Sequence, residues 1–239
     1  MEDNLMSENK VWEENAKRSI GTVNPDIRFI SIGVKYDETK FMPVRNRHVF
    51  NDFNFPPSKP VSGGFWGAVY TPNAQFRSDW ERFIMEKMYL RSEWTEKTKQ
   101  TSTIFSLNAD AKIIFLNELM DLFPIYHINT DGSVMVKPLF NLRQVKIGNP
   151  CLKDYEHHDY IDFEKLSEVF DAILISKNFV SKVDWTLMEF ERRVIAGEEE
   201  YDDKLTRLDL EVAEIFEDWN AESILVLNAS CMTNIEYIE

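Results

Sequence analysis

An α+β fold is what the sequence predicts, and three observations carry that reading. Short runs rich in β-branched and aromatic residues are bounded by Gly, Pro and Asn. Amphipathic stretches with a helical period stand among them. The two kinds of segment do not alternate regularly, which disfavours a doubly wound parallel sheet. The 239 residues are 44% hydrophobic and 13% aromatic, enough for a sizeable core, and eight Gly and nine Pro are too few for a low-complexity chain.

Taken in order, residues 1–26 are polar with Trp12 as the one large anchor, and read as an N-terminal arm or a short docked helix. Residues 27–239 read as a single domain. Ile27–Val34 is a strand candidate. Asn51–Pro60 holds Pro56, Pro57 and Pro60 and cannot be helical, so it is expected to be an extended loop. Ser62-Gly63-Gly64 opens a second strand, Phe65–Tyr70, stopped by Thr71-Pro72. Ser78-Asp79-Trp80-Glu81 fits a capping box, and Trp80, Phe83, Ile84 and Met88 then share one helical face. Ile104–Leu107 and Lys112–Leu116 read as a strand pair joined by Asn108-Ala109-Asp110, and Asn117–Phe123 as a short helix stopped by Pro124. Ile125–Pro150 is expected to be irregular and β-rich, with a turn at Asp131-Gly132. Helices are expected at Asp162–Phe170, Asp184–Val194 and from Glu199 to Trp219, with strands at Ala172–Ser176 and Ser223–Leu227. There is no internal repeat.

Charge narrows the function classes. Twenty-seven basic residues against 41 acidic give a net charge of -14, so the overall field does not favour nucleic acid or anionic membrane. Lys137, Arg143, Lys146 and Lys153 form a local basic stretch that could still guide a nucleic acid. From Glu191 onward there are 14 acidic residues against four basic, and Glu198–Asp203 suits a solvated helix face and first turn. No apolar run approaches the roughly 20 residues that span a bilayer, and no signal peptide is read at the N-terminus, so a cytoplasmic location is expected. Cys151 and Cys231 are too few for a disulfide scaffold and read as small packed or surface residues.

Familiar chemical motifs are absent: no phosphate loop, no G-x-G-x-x-G, no H-E-x-x-H and no paired CxxC. Glu156-His157-His158-Asp159, with Cys151 nearby, can be read as a zinc cluster or as a polar exposed turn; adjacent side chains diverge on either a strand or a helix, which favours the turn. No serine stands in a nucleophile-elbow context, so a Ser/His/Asp triad has no support.

A distributed pattern remains. Arg28 stands among apolar neighbours on the first strand. Gly64-Phe65-Trp66-Gly67-Ala68-Val69-Tyr70-Thr71 forms the second, with a capped helix directly after it. Glu222 heads the late strand Ser223-Ile224-Leu225-Val226-Leu227. This order resembles the ADP-ribosyltransferase superfamily, in toxin and phage-defence form. There, a first strand supplies an Arg or His that holds NAD, a glycine-aromatic strand runs beside the nicotinamide, and a later strand begins with the catalytic glutamate. Trp66 replaces the tyrosine of one branch, and Asn220 stands where arginine-modifying members carry Gln or Glu.

The resemblance implies a split β-sheet core with peripheral helices, NAD as substrate, and transfer of ADP-ribose to a macromolecular acceptor, protein or nucleic acid. Glu222 would be catalytic; Arg28, Gly64, Trp66 and Tyr70 would bind the dinucleotide; no metal is implied. A toxin role would require a neutralising antitoxin partner. The chemistry is coherent, because cleaving the nicotinamide–ribose bond develops positive charge on the sugar and a fixed carboxylate stabilises it. A guanidinium suits the phosphates, and an aromatic ring suits nicotinamide. The competing expectation is a non-enzymatic acidic module, a phage or host factor that occupies a basic partner surface.

Overall fold

The computed structural model describes residue 10 and residues 12–46, 58–87, 92–148, 155–197 and 207–239, apart from the side chains of 145–148 and 155–157. Helix α1 covers 12–16. Strands β1 (Ile20–Gly21), β2 (Phe29–Ser31) and β3 (Phe65–Val69) follow, then helices α2 (Asp79–Lys87) and α3 (Ser92–Thr98). Strands β4 (Ser102–Leu107), β5 (Ile113–Leu116), β6 (Ile125–Ile128), β7 (Val134–Val136), β8 (Leu142–Gly148) and β9 (Tyr155–Ile161) come next. The chain ends with α4 (Phe163–Ser167), β10 (Ala172–Ile175), α5 (Lys177–Ala196), α6 (Arg207–Ile215), β11 (Ser223–Val226) and β12 (Met232–Ile238). Strands and helices mix without regular alternation, so the architecture is α+β.

Eight strands share one hydrogen-bonded order, β1-β5-β10-β11-β3-β2-β4-β12, and β6-β7 and β8-β9 form separate ladders. Only β5-β10 is parallel within the large sheet; its other neighbours are antiparallel. The sheet folds over on itself, for a simple reason of reach. β4 and β5 stand five ladder positions apart, about 24 Å across a flat sheet. The chain from Leu107 to Ile113 reaches about 21 Å at full stretch, and a turn bond from the Ala111 amide to the Asn108 carbonyl at 3.1 Å shortens it further.

The fold-over creates the central core. Phe29, Phe65, Phe105 and Leu107 from one half pack with Ile113, Leu174, Ile224 and Val226 from the other. On the opposite face of β5, β10 and β11, helices α5 and α6 and the turn after α6 supply Phe179, Val183, Val212 and Phe216 to a second core. Ile30 and Ile104 form a third, smaller cluster, with Tyr70 and Trp80 against it. Each strand divides its residues by alternation: Phe65 and Val69 face the first core, and Trp66, Ala68 and Tyr70 face away from it.

Several expectations change at this level. The strand pair expected at Ile104–Leu107 and Lys112–Leu116 does not form: β4 pairs with β2 and β12, and β5 with β1 and β10. Asn117–Phe123 holds only a 3-10 turn at Leu119–Asp121, because the Asp121 carboxylate takes the Asn117 and Glu118 amides at 2.9 and 2.8 Å and closes the turn early. The polar turn expected at Glu156–Asp159 is part of β9, paired along its length with β8. Two further strands went unread: β1 within the arm, and β12, whose residues are mostly exposed and whose ladder is broken by a bulge at Asn234 with φ 50°. α5 begins at Lys177, seven residues before the expected start, because Ser176 caps it by accepting from the Phe179 amide at 3.1 Å. The hairpin turn at Gly132 matches expectation. Most of the proline loop, Met88, Lys153, Cys151 and the acidic run at 198–206 lie outside the described residues.

Candidate functional site

The three segments singled out by the sequence lie side by side. β3 pairs antiparallel with β2 on one side and with β11 on the other, so β2 and β11 run in the same direction. Arg28 stands level with Tyr70, whose amide donates to the Arg28 carbonyl at 2.8 Å. The pairing of Ile224 with Gly67 puts Glu222 level with Val69, two strand spacings from Arg28, or about 10 Å between backbones.

The side chains divide into two groups. Arg28 is only partly buried, its guanidinium 2.6 Å from Glu236 on β12 and 5.8 Å from the centre of the Tyr70 ring. The expected phosphate clamp is therefore already engaged by a carboxylate and a ring. Glu222 is half-buried. Its backbone amide donates to Asp79 Oδ2 at 3.1 Å. Burial, and secondarily the Asp79 charge, raises its carboxyl above the usual range, while the Lys177 amide at the start of α5 pulls it back.

Gly64 and Trp66 belong to a different feature, a cavity of about 420 Å³ on the sheet face away from the central core. Arg28, Tyr70 and Glu222 are not among its described lining residues, although Asn220 and Ser223, which flank Glu222 in sequence, are. Gly64 has a reason of its own to be glycine. Its φ is +68°, and a Cβ there would meet Leu225 Cδ1 at 2.6 Å and the Val226 carbonyl oxygen at 2.9 Å. The protein's own atoms, not a ligand, fill that space.

Four of the six tryptophans line this cavity: Trp66, Trp80, Trp94 and Trp219. They form two pairs. Trp66 on β3 meets Trp219, just past α6, at 4.8 Å between ring centres; Trp80 on α2 meets Trp94 on α3 edge-on at 6.0 Å. Each pair carries a lysine. Lys59 Nζ lies 5.7 Å from the Trp66 ring centre and Lys97 Nζ 5.1 Å from that of Trp94. No acidic residue is among the described lining, and neither ammonium has a carboxylate within 4 Å among the described residues. Burial pushes the Lys59 ammonium below its usual pKa, with Asp218 opposing from farther away. Asp218 is itself held by the Ser58 hydroxyl at 2.7 Å, and the Trp219 indole donates to the Ser58 carbonyl at 2.9 Å, which fixes the base of Lys59.

Local sequence sets these walls. Ser78 caps α2 by accepting from the Glu81 amide at 3.1 Å, as the capping box predicts. The return contact differs: the Glu81 carboxylate takes the Arg77 amide and guanidinium, not the Ser78 amide. That ties α2 to its entry loop and to the Thr98 carbonyl through Arg77, and so holds Trp80 against Trp94. Sequence reasoning missed Lys59, Lys97, Trp94 and Trp219 as site residues. The available signal was tryptophan abundance, but nothing local says that residues 66, 80, 94 and 219 converge.

The other candidates resolve as follows. Among the described residues no three His, Cys, Asp or Glu gather as a metal site. His158 Nδ1 lies 3.3 Å from Glu214. Cys231 is buried and its thiol is pushed up to about 12, chiefly by burial, which makes it a poor nucleophile. Lys137 packs over the Trp12 ring at 4.4 Å, and Arg143 Nε donates to the Ile161 carbonyl at 3.4 Å. No described helix is long and apolar enough to cross a membrane. No family model, curated protein or solved structure matches the chain.

Proposed function

We propose that the chain binds NAD in the tryptophan-lined cavity and transfers ADP-ribose to a macromolecular acceptor, protein or nucleic acid, releasing nicotinamide. The observation that supports this reading is the cavity itself: flat aromatic walls and two ammonium groups without carboxylate partners, beside three adjacent strands in the order of the ADP-ribosyltransferase resemblance. Its volume of about 420 Å³ falls at the small end of ligand sites, enough for one end of a dinucleotide with the remainder outside.

In this reading the nicotinamide ring stacks on indole. The bond between the ribose carbon and the pyridinium nitrogen breaks, and its electron pair leaves with neutral nicotinamide. The acceptor's lone pair then forms the new bond to that carbon and its proton passes to solvent. Glu222 stands outside the described lining, beside Asp79 and the Lys177 amide, and supplies negative charge to a cationic sugar that reaches past Ser223. Arg28 serves as the far clamp only by exchanging Glu236 for phosphate.

The test is an incubation with NAD labelled in the adenylate moiety and a cell lysate, followed by separate protease and nuclease digestion. Labelled macromolecule is expected with wild-type protein and at least a hundredfold less with Glu222→Gln. Full turnover by Glu222→Gln would remove Glu222 from the chemistry. Free ADP-ribose without labelled acceptor would change the reading to NAD hydrolysis. No turnover, together with a salt-sensitive complex with a basic partner, would favour the acidic interaction module.

A further inference from the structure

Lys59 and Lys97 stand out electrostatically. The chain carries 41 acidic residues against 27 basic, yet its tryptophan cavity holds two lysines and no acid among the described lining residues. Elsewhere the described cations are mostly neutralised: Arg77 by Glu81, Arg82 by Asp79, Arg28 by Glu236. An ammonium taken partly out of water with no carboxylate in contact is costly, and Asp218 acts on Lys59 only from beyond 4 Å. Cation–π contact with indole returns only part of that, about 0.5–2 kcal/mol per pair. A bound anion would return the rest.

The arrangement also fixes the shape of the ligand. The two lysines do not share one spot; one sits on the Trp66–Trp219 pair and one on the Trp80–Trp94 pair. Indole faces are suited to a planar ring, and every nucleobase or pyridine ring has such a face. An ammonium beside each pair is suited to the phosphate oxygens carried by the ribose attached to that ring.

We infer that Lys59 and Lys97 are the phosphate-gripping residues of this cavity, and that its ligand is a nucleotide recognised through ring and phosphate together, not a nucleoside or an uncharged aromatic. This rests on the NAD reading of the same cavity and deepens it by assigning to two lysines the phosphate role that the ADP-ribosyltransferase resemblance implies for Arg28. It requires no chemistry, so it stands or falls on binding alone.

The experiment is an equilibrium titration followed by tryptophan fluorescence, with ADP, NAD and adenosine as probes. The wild-type chain is compared with Lys59→Met, Lys97→Met, Lys59→Arg and Lys137→Met. The last removes the same charge from a lysine–tryptophan pair in a cavity that shares no described lining residue with this one. ADP and NAD are expected to bind wild-type protein at least tenfold more tightly than adenosine. Lys59→Met and Lys97→Met should each remove most of that preference while leaving adenosine affinity unchanged. Lys59→Arg should retain it, and Lys137→Met should match wild type. Circular dichroism melting of each variant separates lost binding from lost folding. Equal affinity for ADP and adenosine, undiminished ADP affinity in folded Lys59→Met and Lys97→Met, or no binding of any probe would overturn the inference. Phosphate-dependent binding with no transfer from NAD would overturn the enzymatic reading and leave the nucleotide site standing.

Discussion

Gly64 and Glu222 are each constrained by the fold before any ligand is considered. Gly64 lines the cavity, but its left-handed backbone and the atoms of Leu225 and Val226 already forbid a side chain. Gly64→Ala is expected to cost about 2–4 kcal/mol, combining the left-handed penalty with overpacking. Denaturant unfolding would read this as a lower midpoint with an unchanged slope. Gly63→Ala should cost at least as much, since its Cβ would lie 2.0 Å from the Pro43 carbonyl oxygen. Glu222 works in the other direction. Burial raises its folded pKa above the unfolded value, so its contribution to stability is complete below the unfolded pKa and is lost as pH rises through the folded one. Glu222→Gln, a neutral near-isostere, should therefore be at least as stable as wild type at pH 8 and show a flatter dependence of melting temperature on pH between 4 and 8. A variant markedly less stable at pH 8 would contradict this account of the carboxyl.

The elements that position the site are short and depend on their caps. α2 carries Trp80 and is fixed at its start by Ser78. Ser78→Ala should cost about 1 kcal/mol and, by loosening one wall, weaken ligand binding more than it lowers the melting temperature; calorimetric titration beside thermal melting would check this. Elements with a strong local signature were legible in sequence: β3 with its glycine pair, the capped α2, the Asp131-Gly132 hairpin and the apolar run of β11. Elements defined by their neighbours were not. β9 reads Tyr-Glu-His-His-Asp-Tyr-Ile and is a strand because β8 pairs with it throughout. β12 is polar and bulged and takes its place by pairing with β4. The resemblance picked three adjacent strands, β2, β3 and β11, but could not say which side chains face the cavity. Arg28 and Tyr70 share the cavity's sheet face but stand beyond its described lining, at the far end of their strands. Lys59 and Trp219 converge through tertiary packing that no spacing encodes.

At the scale of the whole molecule, the fold-over of one eight-stranded order decides both stability and site. The space between its halves is filled by the protein's own side chains, with Phe105 fully buried between Phe29 and Phe65. The ligand-sized space lies on the other face. Phe105→Ala should cost about 3–5 kcal/mol and release the two halves together in one cooperative transition. The net charge of -14 adds self-repulsion that salt screens. Melting temperature should rise by a few degrees as ionic strength goes from about 0.01 to 0.15 M, and a fall would show that attractive ion pairs outweigh the repulsion.

The central claim is that the tryptophan cavity takes NAD, and the most direct measurement is a calorimetric titration of NAD into wild-type protein and into Trp94→Ala. Trp94 is a suitable position because it is only partly buried on the peripheral helix α3 and forms one wall. Saturable one-to-one binding to wild type, weakened at least tenfold in a folded Trp94→Ala protein, is the expected result. An absence of NAD binding, or the same dissociation constant in both proteins, would contradict it.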